Sequence, residues 1–250
     1  MTTPLPGRIV WYDLITTDPE RAKAFYTELL GWTTRTMSMG PEAEYTMFAN
    51  SGKDFGGIEA AKAPDVPSHW IHYTTVEDVD AAAAAAKFLG GAVHVPPTDI
   101  PTVGRFAIIA DPTGGFIAPF RGLQQMPEDE SPTPVGAFVW PELSSSDRAA
   151  AAAFLCGIFG WTERAMDVDM MPYTVLCRGD KDVAGIGNAT EGGPTFWLSY
   201  VKVADVDAVA QRAVALGGSL MLEPMDIPGI GRIAIAQDPT GAPFGLHKAG

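Results

Sequence analysis

Residues 11–14 read Trp-Tyr-Asp-Leu, and residues 140–143 read Trp-Pro-Glu-Leu, an offset of 129 positions. At the same offset Phe25 and Gly31-Trp32 return as Phe154 and Gly160-Trp161. The offset then shortens to 128, pairing Tyr45-Thr46 with Tyr173-Thr174, Lys53-Asp54 with Lys181-Asp182, and Gly57-Ile58 with Gly185-Ile186. It settles at 127, where Trp70 meets Trp197, Asp78-Val79-Asp80 meets Asp205-Val206-Asp207, and Ile100-Pro101 meets Ile227-Pro228. Gly104-Arg105 and Asp111-Pro112-Thr113-Gly114 likewise return as Gly231-Arg232 and Asp238-Pro239-Thr240-Gly241. Ordered matches with only two single-residue slips mark a tandem duplication, and each slip needs one loop residue. Between the copies, residues 121–135 include Pro-Glu-Asp-Glu-Ser-Pro-Thr-Pro, without periodicity, which reads as an extended linker. The expected organisation is a domain at 1–120, a linker at 121–135 and a second domain at 136–250.

Each copy has an inner rhythm of strand, helix and three strands, given twice. In the first copy Val10–Ile15 is a short apolar strand. Asp18 can cap a helix with Pro19 at its first position and Glu20 near the positive end. Ala22, Phe25 and Leu29 give that helix one apolar face, and Gly31 stops it. Strands are expected near Thr33–Met39, Tyr45–Asn50 and Phe55–Ala60. The second half opens with a strand near His69–Val76. An alanine-rich helix follows from Asp78 to Gly90-Gly91, then strands near Ala92–Val95, Phe106–Ala110 and Phe116–Phe120. Asp111-Pro112-Thr113-Gly114 fits a type I turn joining the last two as a hairpin. In the second copy Asp147 caps, Phe154 and Ile158 form the face, and Gly160 stops the helix.

The 250 residues are 46% apolar, enough for a core and against wholesale disorder. No apolar run approaches the roughly 18 to 20 residues that span a bilayer. Residues 1–7 lack the basic and apolar regions of a secretory signal, so a cytoplasmic protein with no membrane partner is expected. A net charge of −13 without any Lys/Arg cluster argues against a nucleic-acid partner. The two cysteines, Cys156 and Cys177, make no disulfide framework and read as buried apolar thiols. His69, His72, His94 and His247 show no helical ligand spacing.

The doubled βαβββ order resembles the vicinal-oxygen-chelate superfamily of glyoxalases, bleomycin-resistance proteins and extradiol dioxygenases. The residues that carry the likeness are Asp18 to Trp32, Val76-Glu77-Asp78-Val79-Asp80 and Asp111-Pro112-Thr113-Gly114, with their second-copy counterparts. Nearly the whole chain is covered, and tandem members of actinobacterial type, labelled hydroxylases or glyoxalase-like antigens, are the nearer likeness. The resemblance implies an α+β fold of paired βαβββ modules, with cup-shaped, partly open mixed sheets. It also implies a monomer that mimics the family's dimers, or a homodimer.

Enzymes of this superfamily hold a divalent metal with His, Glu or Gln side chains on four strands, where it acts as a Lewis acid. Carried over by motif, three of those positions are Trp11, Ile71 and Ala118, and in the second copy Trp140, Leu198 and Gly245. None of these six can bind a metal through its side chain. The fourth position falls on Glu59 and on Gly187, and one carboxylate does not make a site that needs several ligands. A one-residue slip would bring in His72, whose counterpart is Ser199. The expectation is no metal and no cofactor, with an indole at the first ligand position of both copies.

Strand alternation puts Asp13 on the face of Trp11, and Glu142 on that of Trp140. A carboxylate there is either a ligand anchor or general base, or a group paired with backbone or arginine donors. Tyr73 and Tyr200 could hydrogen-bond a ligand or pack under the sheet. Arg105 and Arg232 could pair with the two acids, bind an anionic group, or be exposed at strand ends. His247 could supply an acid–base group or simply be solvated, and Met166 to Met171 a pliable lip or core filling. Asp13, Glu142, Tyr73, Tyr200 and His247 are thus the catalytic candidates. The ligand-binding set is Trp11, Trp140, Asp13, Glu142, Tyr73, Tyr200, Arg105 and Arg232. The leading expectation is metal-independent binding of an organic small molecule in an aromatic-lined cup. The alternatives are a glyoxalase-like lyase, isomerase or hydroxylase using these groups in place of a metal, and a non-catalytic interaction protein with vestigial pockets.

Overall fold

A computed structural model describes residues 6–40, 43–124, 132–168 and 171–250. The first copy runs β1 (Ile9–Thr16), α1 (Pro19–Leu30), β2 (Thr33–Gly40), β3 (Ala43–Asn50) and β4 (Lys53–Ala60). It continues with β5 (His69–Thr75), α2 (Val79–Phe88), β6 (Ala92–Ile100), β7 (Gly104–Ala110) and β8 (Phe116–Gly122). The second copy runs β9 (Phe138–Ser145), α3 (Arg148–Phe159), β10 (Thr162–Val168), β11 (Met171–Arg178) and β12 (Lys181–Asn188). Then come β13 (Phe196–Lys202), α4 (Val206–Ala215), β14 (Ser219–Ile227), β15 (Gly231–Gln237) and β16 (Pro243–Ala249). This is the expected double βαβββ order.

Local chemistry explains the boundaries. Asp18, Asp78, Asp147 and Asp205 each accept a hydrogen bond from the backbone N–H three residues on, capping one helix apiece. Gly31 and Gly160 end α1 and α3 with φ of 70° and 67°, a left-handed turn that suits glycine. At the Asp111 turn the Gly114 N–H donates to the Asp111 carbonyl, and β7 and β8 close antiparallel around it. Several strands are longer than their sequence suggests, β6 most of all. Strand β6 runs through Pro96 and Pro97 to Ile100, because register shifts between Val93 and Thr98 absorb the missing N–H donors. Strand β8 continues to Gly122, and residues 125–131 of the expected linker lie outside the described residues.

The strands form two open eight-stranded sheets, ordered β2-β3-β4-β1-β5-β8-β7-β6 and β10-β11-β12-β9-β13-β16-β15-β14. β1 is parallel to β4 and β5 to β8, while the hairpins are antiparallel, so the sheets are mixed. The second copy repeats the pattern.

By contacts the chain divides into two compact units, each built from halves of both copies. One joins the second half of the first copy, from His72, to the first half of the second copy, Trp140–Trp197. Its core packs α2 against α3, with Ala82, Ala86 and Ile109 meeting Leu143, Phe154 and Leu155. Small alanines let the helices approach, and Gly157 leaves room for the tip of Leu89. The Trp161 indole N–H donates to the Gly7 carbonyl at 2.8 Å. The other unit joins Tyr12–Ile71 to Leu198–Gly250 and packs α1 near α4. There Phe25, Tyr26, Trp32 and Trp70 meet Val206, Ala213 and Phe244, and the Trp32 indole donates to the Gly136 carbonyl at 2.7 Å. Replacing Trp32 or Trp161 by Phe leaves a buried carbonyl without its donor, and each change should lower unfolding free energy by about 1–3 kcal/mol in urea titrations.

Candidate functional site

The helix-side face of β1 and β9 is settled by Leu14 and Leu143, both fully buried in a core. Alternation therefore turns Asp13 and Glu142 to the opposite face. In β9 that face carries a chain of hydrogen bonds. The Trp140 indole N–H donates to the Tyr173 hydroxyl at 2.8 Å, and that hydroxyl donates to Glu142 Oε2 at 2.7 Å. In β1 the Tyr45 hydroxyl donates to Asp13 Oδ1, and Asp13 is only 3% exposed. The acid is thus paired, and a tyrosine, not among the partners considered from sequence, is one of those that hold it.

A glycine makes each pairing possible. Glu142 lies opposite Gly185 in the β9–β12 ladder, and Asp13 lies opposite Gly57 between β1 and β4. Tyr173 and Tyr45 sit one strand further out, on β11 and β3. A Cβ at Gly185 would collide with the Tyr173 phenol, and one at Gly57 with that of Tyr45. The bare strand lets each ring cross over β12 or β4 and reach its acid. Neither tyrosine was singled out as a site residue. The signal was present, because Tyr45 with Gly57 and Tyr173 with Gly185 both recur in the repeat.

Burial pushes the Glu142 carboxyl above its usual range, and the hydrogen bond from Tyr173 opposes that rise in part. Glu142 Oε1 makes no hydrogen bond among the described residues, and Gly187 stands beside it with no side chain.

The other sequence candidates are placed as follows. Trp11 is half-buried on β1. Tyr73 is buried against Phe106 and Phe120, with ring centroids 5.9 and 6.1 Å away. Tyr200 is buried with its ring over Gly245, where a Cβ would strike it. The arginines do not meet the acids. Arg105 binds both oxygens of Asp80, at 2.8 and 2.9 Å, and Asp99 at 2.8 Å. Arg232 takes Asp207 at 2.6 and 2.7 Å and Asp226 at 3.1 Å. The helix-start acids Asp80 and Asp207 are nearer partners than β1 or β9, and each is shifted to a lower pKa by its arginine. Arg232 borders a surface cleft of about 760 Å³ near Pro228 and Lys248, with its guanidinium already engaged. His247 lies on β16 with Nε2 at 3.2 Å from the Ile230 carbonyl. Of the proposed lip, Met171 is exposed, and residues 169–170 lie outside the described residues.

His72 faces away from the acids' side of the sheet. Its ring meets Trp197 edge-on at 4.9 Å in the helix-side core, and burial pulls its pKa down to about 3. The donor chemistry does not fit a divalent ion held by several side chains. The implied positions are Trp, Ile and Ala in one copy and Trp, Leu and Gly in the other. Among the described residues no three His, Cys, Asp or Glu side chains gather closely enough to hold an ion. Nor is any helix among them long and apolar enough to cross a membrane.

Comparison with known proteins places this geometry. A family model described as the Glyoxalase/Bleomycin resistance protein/Dioxygenase superfamily matches residues 8–117 and again 137–246. The chain belongs to this superfamily. Among its relatives is the "Putative glyoxylase CFP32" of Mycobacterium tuberculosis, 37% identical over 95% of this chain and 93% of that protein. The "Anthracycline biosynthesis protein DnrV" of Streptomyces peucetius is 32% identical over 98% and 94%. Among solved structures, the Mn(II)-bound glyoxalase from Novosphingobium aromaticivorans superposes with a TM-score of 0.65 at 16% identity. That match covers 96% of this chain and 82% of the other, a likeness of fold. The glyoxalase-superfamily fold thus carries, in this chain, a carboxyl–phenol pair in each copy.

A raised carboxyl pKa favours the folded state at low pH, and that contribution is lost as pH rises through the folded-state value. The Glu142→Gln variant should therefore lose less stability than the parent as pH rises above the ordinary carboxyl range, read from urea midpoints. Removing the Tyr173 donor by Tyr173→Phe should push the Glu142 pKa higher still, as followed by carboxyl carbon NMR.

Proposed function

We propose that this chain binds an organic small molecule without a metal ion, anchored by the Glu142–Tyr173–Trp140 hydrogen-bond chain. The observation that carries the reading is the fate of the indole. Where the superfamily resemblance implies a metal ligand, Trp140 stands instead, with its N–H donated to a tyrosine that is itself bound to a carboxyl group. An indole and a phenol offer flat apolar faces with polar ends, the surface that suits an organic ring system. Asp13 and Tyr45 repeat the carboxyl–phenol pairing in the first copy. Likeness to a protein of anthracycline biosynthesis supports a flat polycyclic molecule as the ligand class. The Mn(II) of the solved glyoxalase weighs on the other side, but it belongs to a chain of low identity and does not transfer to Trp, Ile and Ala.

A second reading, an enzyme of glyoxalase type, is favoured by one observation. A carboxyl held above its usual range by burial is suited to proton transfer nearer neutral pH. The relative named a glyoxylase points the same way. Under this reading Glu142→Gln abolishes turnover while ligand binding persists.

Elemental analysis of purified protein decides the metal question. The expected result is less than about 0.1 equivalent of any transition metal, and a stoichiometric, tightly held ion overturns the reading. Native mass spectrometry of the same preparation should detect a co-purified organic molecule, or one taken up from a panel of polycyclic compounds. Trp140→Ala should weaken that binding about tenfold or more, through lost ring contact and the broken hydrogen-bond chain.

A further inference from the structure

The two copies differ at one place next to the carboxyl–phenol pair. In the second copy Glu142 Oε1 has no hydrogen-bond partner among the described residues, and the adjoining position on β12 is Gly187. A Cβ built at Gly187 would have Tyr173 at 3.8 Å and Glu142 Oε1 at 3.9 Å as its nearest neighbours, ordinary contact distances with space around them. In the first copy the corresponding residue on β4 is Glu59, half-buried and opposite Ile15. Ile58 lies in the core, so alternation turns Glu59 to the same face as Asp13. The acid there is also one methylene shorter. One copy therefore has an available carboxyl oxygen beside bare backbone, and the other has a second acid in that place.

The geometry points to a single ligand per chain, a neutral planar aryl ketone or quinone seated over Gly187 with its carbonyl oxygen against Glu142 Oε1. The inference rests on the metal-free reading above and narrows it to one copy and one chemical class. Tyr173 already donates to Oε2, so a proton on the carboxyl group is directed to Oε1, where it can be donated to a carbonyl acceptor. Burial of Glu142 favours that protonated form. A ligand anion would bring a negative charge beside a carboxyl group that itself ionises as pH rises, and an aliphatic ligand would forgo the ring faces of Tyr173 and Trp140.

The test uses 9-fluorenone, with fluorene as the control lacking the carbonyl, titrated into the full chain by calorimetry and tryptophan fluorescence. One fluorenone per chain is expected, with fluorene at least about tenfold weaker, the scale of one lost hydrogen bond to a buried acid. Affinity should fall as pH rises through the Glu142 transition. Gly187→Glu, which installs the first-copy residue, should remove binding, and Gly187→Ala, for which the structure has room, should weaken it several-fold. Glu59→Ala should leave it unchanged. Circular dichroism and thermal melts establish that the variants are folded. Two equivalent sites, equal binding of fluorene, full binding by folded Gly187→Glu, loss of binding in Glu59→Ala, or no saturable binding below about 1 mM each overturns this inference. None of those results touches the metal-free reading, which falls to the elemental analysis instead.

Discussion

A half-copy of four strands and one helix has an apolar helix-side face that it cannot cover alone, and the arrangement of the whole chain follows from covering it. In one compact unit the alanine face of α2 finds Phe154 and Leu155 on α3. In the other, Phe25 and Tyr26 on α1 find Phe244 and the small residues of α4. Both cores join the front of one copy to the back of the other. The indoles of Trp32 and Trp161 tie the same join, each donating to a carbonyl just before the first strand of the opposite copy. Burying an aromatic ring contributes on the order of 1.5–3 kcal/mol, so the many rings held in these cores give the join its weight.

With the helix-side faces committed to the cores, the opposite faces of β1 and β9 are left for chemistry. Acids survive there because a phenol reaches each of them across a glycine. Without Gly57 and Gly185 the rings of Tyr45 and Tyr173 could not cross the intervening strand, and a buried carboxyl without a hydrogen bond carries a large desolvation penalty. The site is thus a consequence of two missing side chains as much as of the polar groups present.

Much of the fold was legible because duplication prints each signal twice. Helix caps, stop glycines and the Asp-Pro-Thr-Gly turns are local, and local chemistry decides them. Strand alternation was also readable, and with Leu14 and Leu143 in the cores it turns Asp13 and Glu142 to the opposite face. Two things escaped. The pairing of α2 with α3 and α1 with α4 could not be read, because periodicity reveals an apolar face but not what covers it. The roles of Tyr45 and Tyr173 were missed although each recurs with its glycine, because recurrence alone does not say which strand a ring crosses. The arginines illustrate the same limit. Asp80 with Arg105 and Asp207 with Arg232 recur at one offset, a hint of direct pairing that strand position alone did not supply.

The exchange of halves has a consequence for how such a chain can change over time. A substitution on α2 is felt by α3, and one on α1 by α4, so the two copies are bound to drift in step on their helix-facing sides. The helix pairing does not reach the faces turned away from the helices. There one copy is free to keep an acid beside a phenol and the other to acquire a different neighbour, as Glu59 and Gly187 have done. Duplication of this kind supplies two cores of shared design together with surfaces that vary separately.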